Sequence, residues 1–354
     1  MSEEPISKID AEQGKLYFRG IEATKLARTR SFEDVTYLLI YGKLPSRSES
    51  VNFQERMLTY RRLHEQELPQ ILYELASCTG QPAQRVVDNI DRTEMMGLKP
   101  LAFRVSHFSR KYDLDALDSL LAFVSLAPVV LAAGWLYLMG KPIVIRNEIL
   151  GHAHNFFWIL KGTELPPNDE RALESCFILH MDDPSNPSLS ALEKSIKDGS
   201  SLSESLTIAL DHHIDPLHHG AGEAMMKAMI EIGDIKNVED YLTKAIESGE
   251  RIYGLGHRIY KTTDPRAVML RDILKERTDN QATLSLYERI EETARIGAEL
   301  ILQRKNRIVH PNVDLYNAAV YHSFGIPYYL NTELFAVSRT AGWAAHIAEW
   351  MNLV

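Results

Sequence analysis

One apolar run, Leu120 to Met139 (LLAFVSLAPVVLAAGWLYLM), limits most strongly what this chain can fold into. Apart from Ser125 it is apolar throughout and long enough to cross a bilayer, so it either spans a membrane or lies buried on all sides of a large helical body. The second reading is the stronger. The run stands alone, Pro128 and Gly134 interrupt it, and its flank holds acidic Asp115 and Asp118 without a basic cluster. A chain of 354 residues, 45% hydrophobic and 25% charged, is large enough to bury such a helix and to form two packed domains. A net charge of −9, with 39 basic residues scattered along the chain, leaves no electrostatic footprint for nucleic acid. No nucleic-acid or membrane partner is therefore expected. Cys78 and Cys176 lie far apart without CxxC spacing, which fits a reducing compartment and argues against a disulfide framework or a metal site. The opening MSEEPISKIDAEQGK has no apolar core of a secretory signal, so a cytoplasmic location is expected.

Elsewhere apolar residues recur at spacings of three and four, and strict alternation is rare, so the expected class is all-α. Ser31 to Gly42 (SFEDVTYLLIYG) starts on a capping serine, has Asp34 in its first turn and closes on glycine. Ala221, Ala224, Met225, Ala228, Met229 and Ile232 form one stripe, stopped by Gly233, and Leu286, Ile290, Ala294, Gly297 and Ile301 form another. Leu334 to Trp350 is apolar on most sides around a single Arg339, and a buried arginine calls for an anionic partner.

Three clusters carry chemistry. In DHHIDPLHHGAGE, Pro216, Gly220 and Gly222 place His218 and His219 on a turn at a helix start, where imidazoles either cap a helix or act on a ligand. No carboxylate or thiolate is spaced to complete a metal shell with them, so no metal is expected. In GLGHRIYKTTDPR, Gly254 and Gly256 permit close backbone approach to a ligand, and His257 follows as a hydrogen-bond donor. Asp264 is the expected N-cap of the next helix and Pro265 its first residue, while Arg266 opposes the helix dipole and looks placed for an anion. In HPNVDLYN, Asp314 is either a helix N-cap or a base.

In this order the segments resemble the signature of the citrate synthase family. PLHHGAGEA is similar to its PLHGGANEA, GLGHRIYKTTDPRA to its GFGHRVYKTYDPRA, and PNVDLYNAAVYHSFGIP with LFAVSRTAGWAAHIAE to its closing motifs. GKLYFRGIEATKLARTRSFEDVTYLLIYGKLP and AHNFFWILKGTELP extend the likeness over most of the chain. The resemblance implies a homodimer of a large helical domain (1–219 and 326–354) and a small one (220–325) that closes over the substrates. It implies condensation of acetyl-CoA with oxaloacetate to give citrate and CoA, with the CoA thioester as substrate and no further cofactor. By position, Asp314 matches the base, His218 the donor to the thioester oxygen and His257 the group that polarises the keto carbonyl. Arg266 and Arg339 match the arginines that hold the keto dicarboxylate. Leu255, Gly256, Lys261, Lys305 and Asn312 are the positions expected to meet CoA. The apolar helix then falls near the dimer interface.

Two departures bear on the substrate. Where the family reads LILHADHELNAST this chain reads FILHMDDPSNPS, so Asp183 stands in the place of a histidine that bonds oxaloacetate, and an ionised carboxylate there repels a dianion unless protonated, turned away or paired. The chain also ends at Val354, short of the family's RPR segment, and His219 replaces a glycine. The readings left open are 2-methylcitrate synthesis, an altered keto acid, citryl-CoA cleavage, and a non-catalytic CoA-binding homologue.

Overall fold

The computed structural model describes residues 4–79, 97–146, 151–214 and 220–354. In chain order its helices are α1 (Ala23–Thr29), α2 (Phe32–Tyr41), α3 (Arg47–Arg61), α4 (His64–Thr79), α5 (Leu98–Tyr112), α6 (Ala116–Leu138), α7 (His152–Lys161) and α8 (Pro167–Leu179). They continue with α9 (Pro187–Lys197), α10 (Leu202–Ile214), α11 (Ala221–Ile232), α12 (Val238–Glu247), α13 (Pro265–Glu276), α14 (Gln281–Lys305), α15 (Asn317–Ser323) and α16 (Asn331–Trp350).

Local chemistry explains several of the ends. Ser31 accepts a hydrogen bond from the Asp34 N–H (3.1 Å) to open α2, and Gly42, at φ +73°, closes it as the sequence led us to expect. Ser46 and Glu49 form a reciprocal capping box at α3. Helical periodicity does not reveal a small sheet near the start, formed by Ser7–Asp10 (β1), Lys15–Phe18 (β2) and Ile21–Glu22 (β3) in that order. Strands this short carry too few alternations to register as a period. β2 and β3 pair antiparallel, and Arg19 and Gly20 between them both have positive φ (46° and 76°), the geometry of a two-residue hairpin turn.

The chain divides into two compact units. The first takes in the residues up to Lys8, Tyr17–Ile214 and Glu333–Val354; the second takes in Ile9–Leu16 and Asp215–Thr332, and the span 220–325 lies within it. In the first unit α6 packs against α3, α4, α5 and α7, and every residue from Leu120 to Leu136 is buried. The apolar run is thus a core helix, although it is the one helix among the described residues long and apolar enough to cross a membrane. Beside it, Glu67 of α4 is fully buried and held by Arg104, Lys111 (2.6 Å) and Tyr112 of α5. Burial alone would raise its carboxyl, and these three bonds hold it below the usual range instead.

In the second unit α12 packs on α14, α13 on α15, and α11 against α15 and the 3₁₀ turn Val313–Leu315. Gly297 lets α14 pass close to the 254–257 loop: a Cβ there would lie 2.5 Å from the Leu255 side chain.

Because α6 is the centre of the first unit, Leu131→Ala should cost about 2–5 kcal/mol, from lost transfer energy plus the cavity left behind. Urea unfolding measures it, and a loss below about 1 kcal/mol would contradict the packing described.

Candidate active site

The second unit brings two sequence clusters together by a short antiparallel contact between residues 254–257 and 310–314. Leu255 bridges Pro311, the Gly256 N–H donates to the His310 carbonyl (2.7 Å), and the Asn312 N–H donates to the Gly254 carbonyl (2.9 Å). The Asn312 side chain joins both segments: its Nδ2 donates to the Gly256 carbonyl (2.6 Å) and its Oδ1 accepts the Asp314 N–H (2.9 Å). Asn312, with extended backbone, therefore caps the turn Val313–Leu315. The reading of Asp314 as an N-cap is corrected: it sits inside the turn, and the residue two positions earlier does the capping. Gly254 is required here, since at φ +80° a Cβ would lie 2.7 Å from the Leu315 Cα.

Charged groups gather around this contact. Burial pushes the Asp314 carboxyl up to about 7; Arg266 and Arg251 pull it down, and Asp264 adds to the rise. Asp264 caps α13 as expected, accepting the Arg266 N–H at 2.9 Å, and also grips the Arg266 guanidinium through Nε–Oδ1 (3.0 Å) and Nη2–Oδ2 (2.8 Å). Both side chains are buried. The cation read as awaiting an external anion thus has an internal carboxylate as its neighbour, and the Asp-Pro-Arg spacing was the overlooked signal. The His257 Nδ1 accepts the N–H groups of Ile259 and Tyr260 (3.0 Å each), which puts the proton of a neutral ring on Nε2, 4.0 Å from the Asp264 Oδ2. Leu255 is buried, and Gly256 has φ +87°. Lys261 pairs with Glu12 on the surface, and Lys305 is exposed in the last turn of α14. His218 and His219 lie outside the described residues.

Arg339 and Asp183 belong to the first unit. Arg339 is fully buried on α16; its Nε donates to the His180 carbonyl (2.9 Å) and its guanidinium lies 5.1 Å from the Phe335 ring centroid. The Asp183 Oδ1 accepts the N–H (3.0 Å) and hydroxyl (2.7 Å) of Ser185, so its carboxylate serves the turn leading to α9. The sequence reading missed its neighbour Asp182, which is buried and accepts from the His346 Nε2 (2.9 Å) and the Ser7 hydroxyl. Burial would raise the Asp182 carboxyl, but His346, Arg339 and Ser7 together hold it below the usual range. A signal was present: His346 stands seven residues after Arg339, on the same helix face.

The family described as citrate synthase, C-terminal domain, matches residues 1–353. A citrate synthase from Synechocystis sp. is 32% identical over 98% of this chain and 84% of its own length. The crystal structure of citrate synthase from Thermotoga maritima superposes with a TM-score of 0.80 at 31% identity, over 99% of this chain and 89% of that one. Citrate synthase from Thermoplasma acidophilum, solved as a ternary complex with carboxymethyl coenzyme A and oxaloacetate, superposes at 0.83 over 98% and 88% of the two chains; at 24% identity it speaks to the fold. An all-helical fold with these relatives defines an enzyme, a transferase of the condensing type. The chain belongs to the citrate synthase family.

The raised Asp314 carboxyl gives a stability prediction. Its folded pKa, about 7, lies above that of an unfolded aspartate, so ionising it opposes folding. The penalty is absent below the unfolded value and grows as pH rises through 7. Asp314→Asn should therefore be more stable than the native chain in urea at pH 8 and equal to it near pH 4; equal midpoints at both pH values would refute the shift.

Proposed function

We propose that the chain condenses acetyl-CoA with oxaloacetate to give citrate and CoA, with Asp314 as the base. The observation that carries this reading is the partly buried carboxylate with a pKa near 7, on a segment paired through its backbone with the one that holds His257, whose Nε2 carries the proton. A carboxylate raised toward neutral pH is a stronger base than a solvated one yet still largely ionised near pH 7.5, the compromise that proton abstraction from a weak carbon acid needs. Asp314 takes a methyl proton of the acetyl thioester while His218 donates to the thioester oxygen, where negative charge develops. The enol carbon attacks the keto carbonyl, and His257 donates from Nε2 to the oxygen that becomes the tertiary hydroxyl. Citryl-CoA is then hydrolysed at the thioester.

Arg266 and Arg339 are the proposed carboxylate holders, each in its own unit. Guanidinium suits that work because it stays charged and offers paired donors. With Arg266 gripped by Asp264, substrate would meet a fixed donor rather than a searching one. For CoA, Leu255 and Gly256 supply backbone, Lys261 and Lys305 exposed cations, and Asn312 is better understood as the clasp of the site than as a nucleotide ligand. The binding of carboxymethyl coenzyme A and oxaloacetate by the Thermoplasma acidophilum relative agrees with this substrate pair.

A second reading, 2-methylcitrate synthesis or an altered keto acid, is favoured by one observation: Asp183 stands where the family has a histidine, and its Oδ1 accepts from Ser185, where a histidine would offer a donor. Release of CoA thiol, followed with acetyl-CoA or propionyl-CoA against oxaloacetate and other 2-keto acids, decides between them. Citrate synthesis predicts the highest kcat/KM for acetyl-CoA with oxaloacetate; preference for another pair would transfer the assignment to the second reading. Asp314→Ala should lower kcat by at least about 10²-fold, the usual contribution of a positioned base. Unchanged turnover would remove Asp314 from that role.

A further inference from the structure

In the first unit three consecutive residues, His180, Met181 and Asp182, each meet one face of α16. The His180 carbonyl accepts the Arg339 Nε–H (2.9 Å), and the His346 Nε2 donates to the Asp182 Oδ2 (2.9 Å). Between them, a Cβ on Gly342 would collide with the Met181 carbonyl and lie 2.7 Å from the Asp182 Oδ1, so glycine is what lets the helix come this close. Residues 339, 342 and 346 follow at spacings of three and four and share a helix face. The fully buried Arg339 is thereby held in register with an equally buried carboxylate. The hydrogen bonds on that carboxylate are one-sided. Its Oδ2 takes both the His346 Nε2–H and the Ser7 hydroxyl, while its Oδ1, on the side of Gly342, has no hydrogen-bond partner among the described residues. Arg339 is one of the groups that hold Asp182 ionised, and a buried arginine in turn needs an anion to stay in place. Whatever charge His346 and Ser7 do not offset falls on Arg339, and weakens what its guanidinium can offer a second carboxylate.

We propose that Asp182 and His346 are positioning residues for Arg339: Asp182 keeps the buried guanidinium in place, and the bond from His346 holds the Asp182 carboxylate back, so that Arg339 meets the carboxylate of the keto acid. This role rests on the reading of Arg339 as a carboxylate holder and adds the residues that tune it. An apolar residue at 182 would cost the fold less, so the buried charge is the feature that calls for a role.

Calorimetric titration of the full-length enzyme with oxaloacetate tests it. A merely structural role lowers the number of binding sites and leaves the dissociation constant, whereas a positioning role moves the constant. His346→Gln puts an amide nitrogen where Nε2 stands and should bind within about threefold of the native chain. His346→Asn, whose amide is too short to reach Asp182, should weaken binding by at least about tenfold, the scale of one hydrogen bond to a charged group. Ser7→Ala, a milder removal of the other donor, should weaken it by about threefold. In an Asp182→Asn background, His346→Asn should have no further effect, because its route runs through the carboxylate. The positioning role falls if His346→Asn and Ser7→Ala bind like the native chain, if His346→Gln is as weak as His346→Asn, or if His346→Asn weakens binding equally in the Asp182→Asn background. A native chain without saturable oxaloacetate binding, or an Arg339→Gln variant that binds as tightly as the native chain, removes Arg339 as the holder and overturns that reading together with the role built on it.

Discussion

The second unit depends on the contact between residues 254–257 and 310–314, where a few backbone hydrogen bonds do what no helix can. Helices fix the spacing of side chains along one axis, but they do not bring residues half a hundred positions apart to a common point. Here the bonds Gly256–His310 and Asn312–Gly254 set the register, and Asn312 locks it by bonding to both segments at once. Replacing a glycine at 254 by any other residue would drive a Cβ into Leu315 and open the contact. His257 and Asp314 are held by this arrangement, so the freedom lost at their backbones is lost on folding rather than on meeting a ligand.

Electrostatics around the contact are set against folding. A carboxyl raised toward 7 and a buried Asp264–Arg266 pair are both costly features, since removing charge from water is repaid only in part by the partner. A chain optimised for stability alone would replace them with apolar residues. Their presence fits a site whose groups are worth more in a low dielectric than in water. In the first unit Asp182 follows the same logic differently: His346, Arg339 and Ser7 supply enough compensation to keep it ionised despite burial.

The helical class, the caps of α2 and α13 and the burial of residues 120–136 were legible because each rests on local chemistry: a serine with an acidic first turn, a proline at a first helical position, a run with no polar face. The sheet of residues 7–22 was not, because its strands are short and its turn depends on Arg19 adopting a positive φ that its residue type does not advertise. The candidate residues 257, 266 and 314 were found from glycine, proline and charge spacing together with the family likeness. What those side chains hold was not found. Asp264 was seen as a cap and not as the partner of Arg266, and Asp314 was weighed as a cap when Asn312 fills that place.

The division follows from range. Sequence by itself determined the main helices and marked the candidate residues, since propensity, capping and periodicity act over a turn or two of chain. Tertiary structure alone decided which carboxylate meets which cation, which imidazole nitrogen keeps its proton, and that Asp182 rather than Asp183 is the buried acceptor beside His346. Those outcomes turn on ångström-scale distances and on the loss of water around a group, and neither is fixed until distant segments have packed.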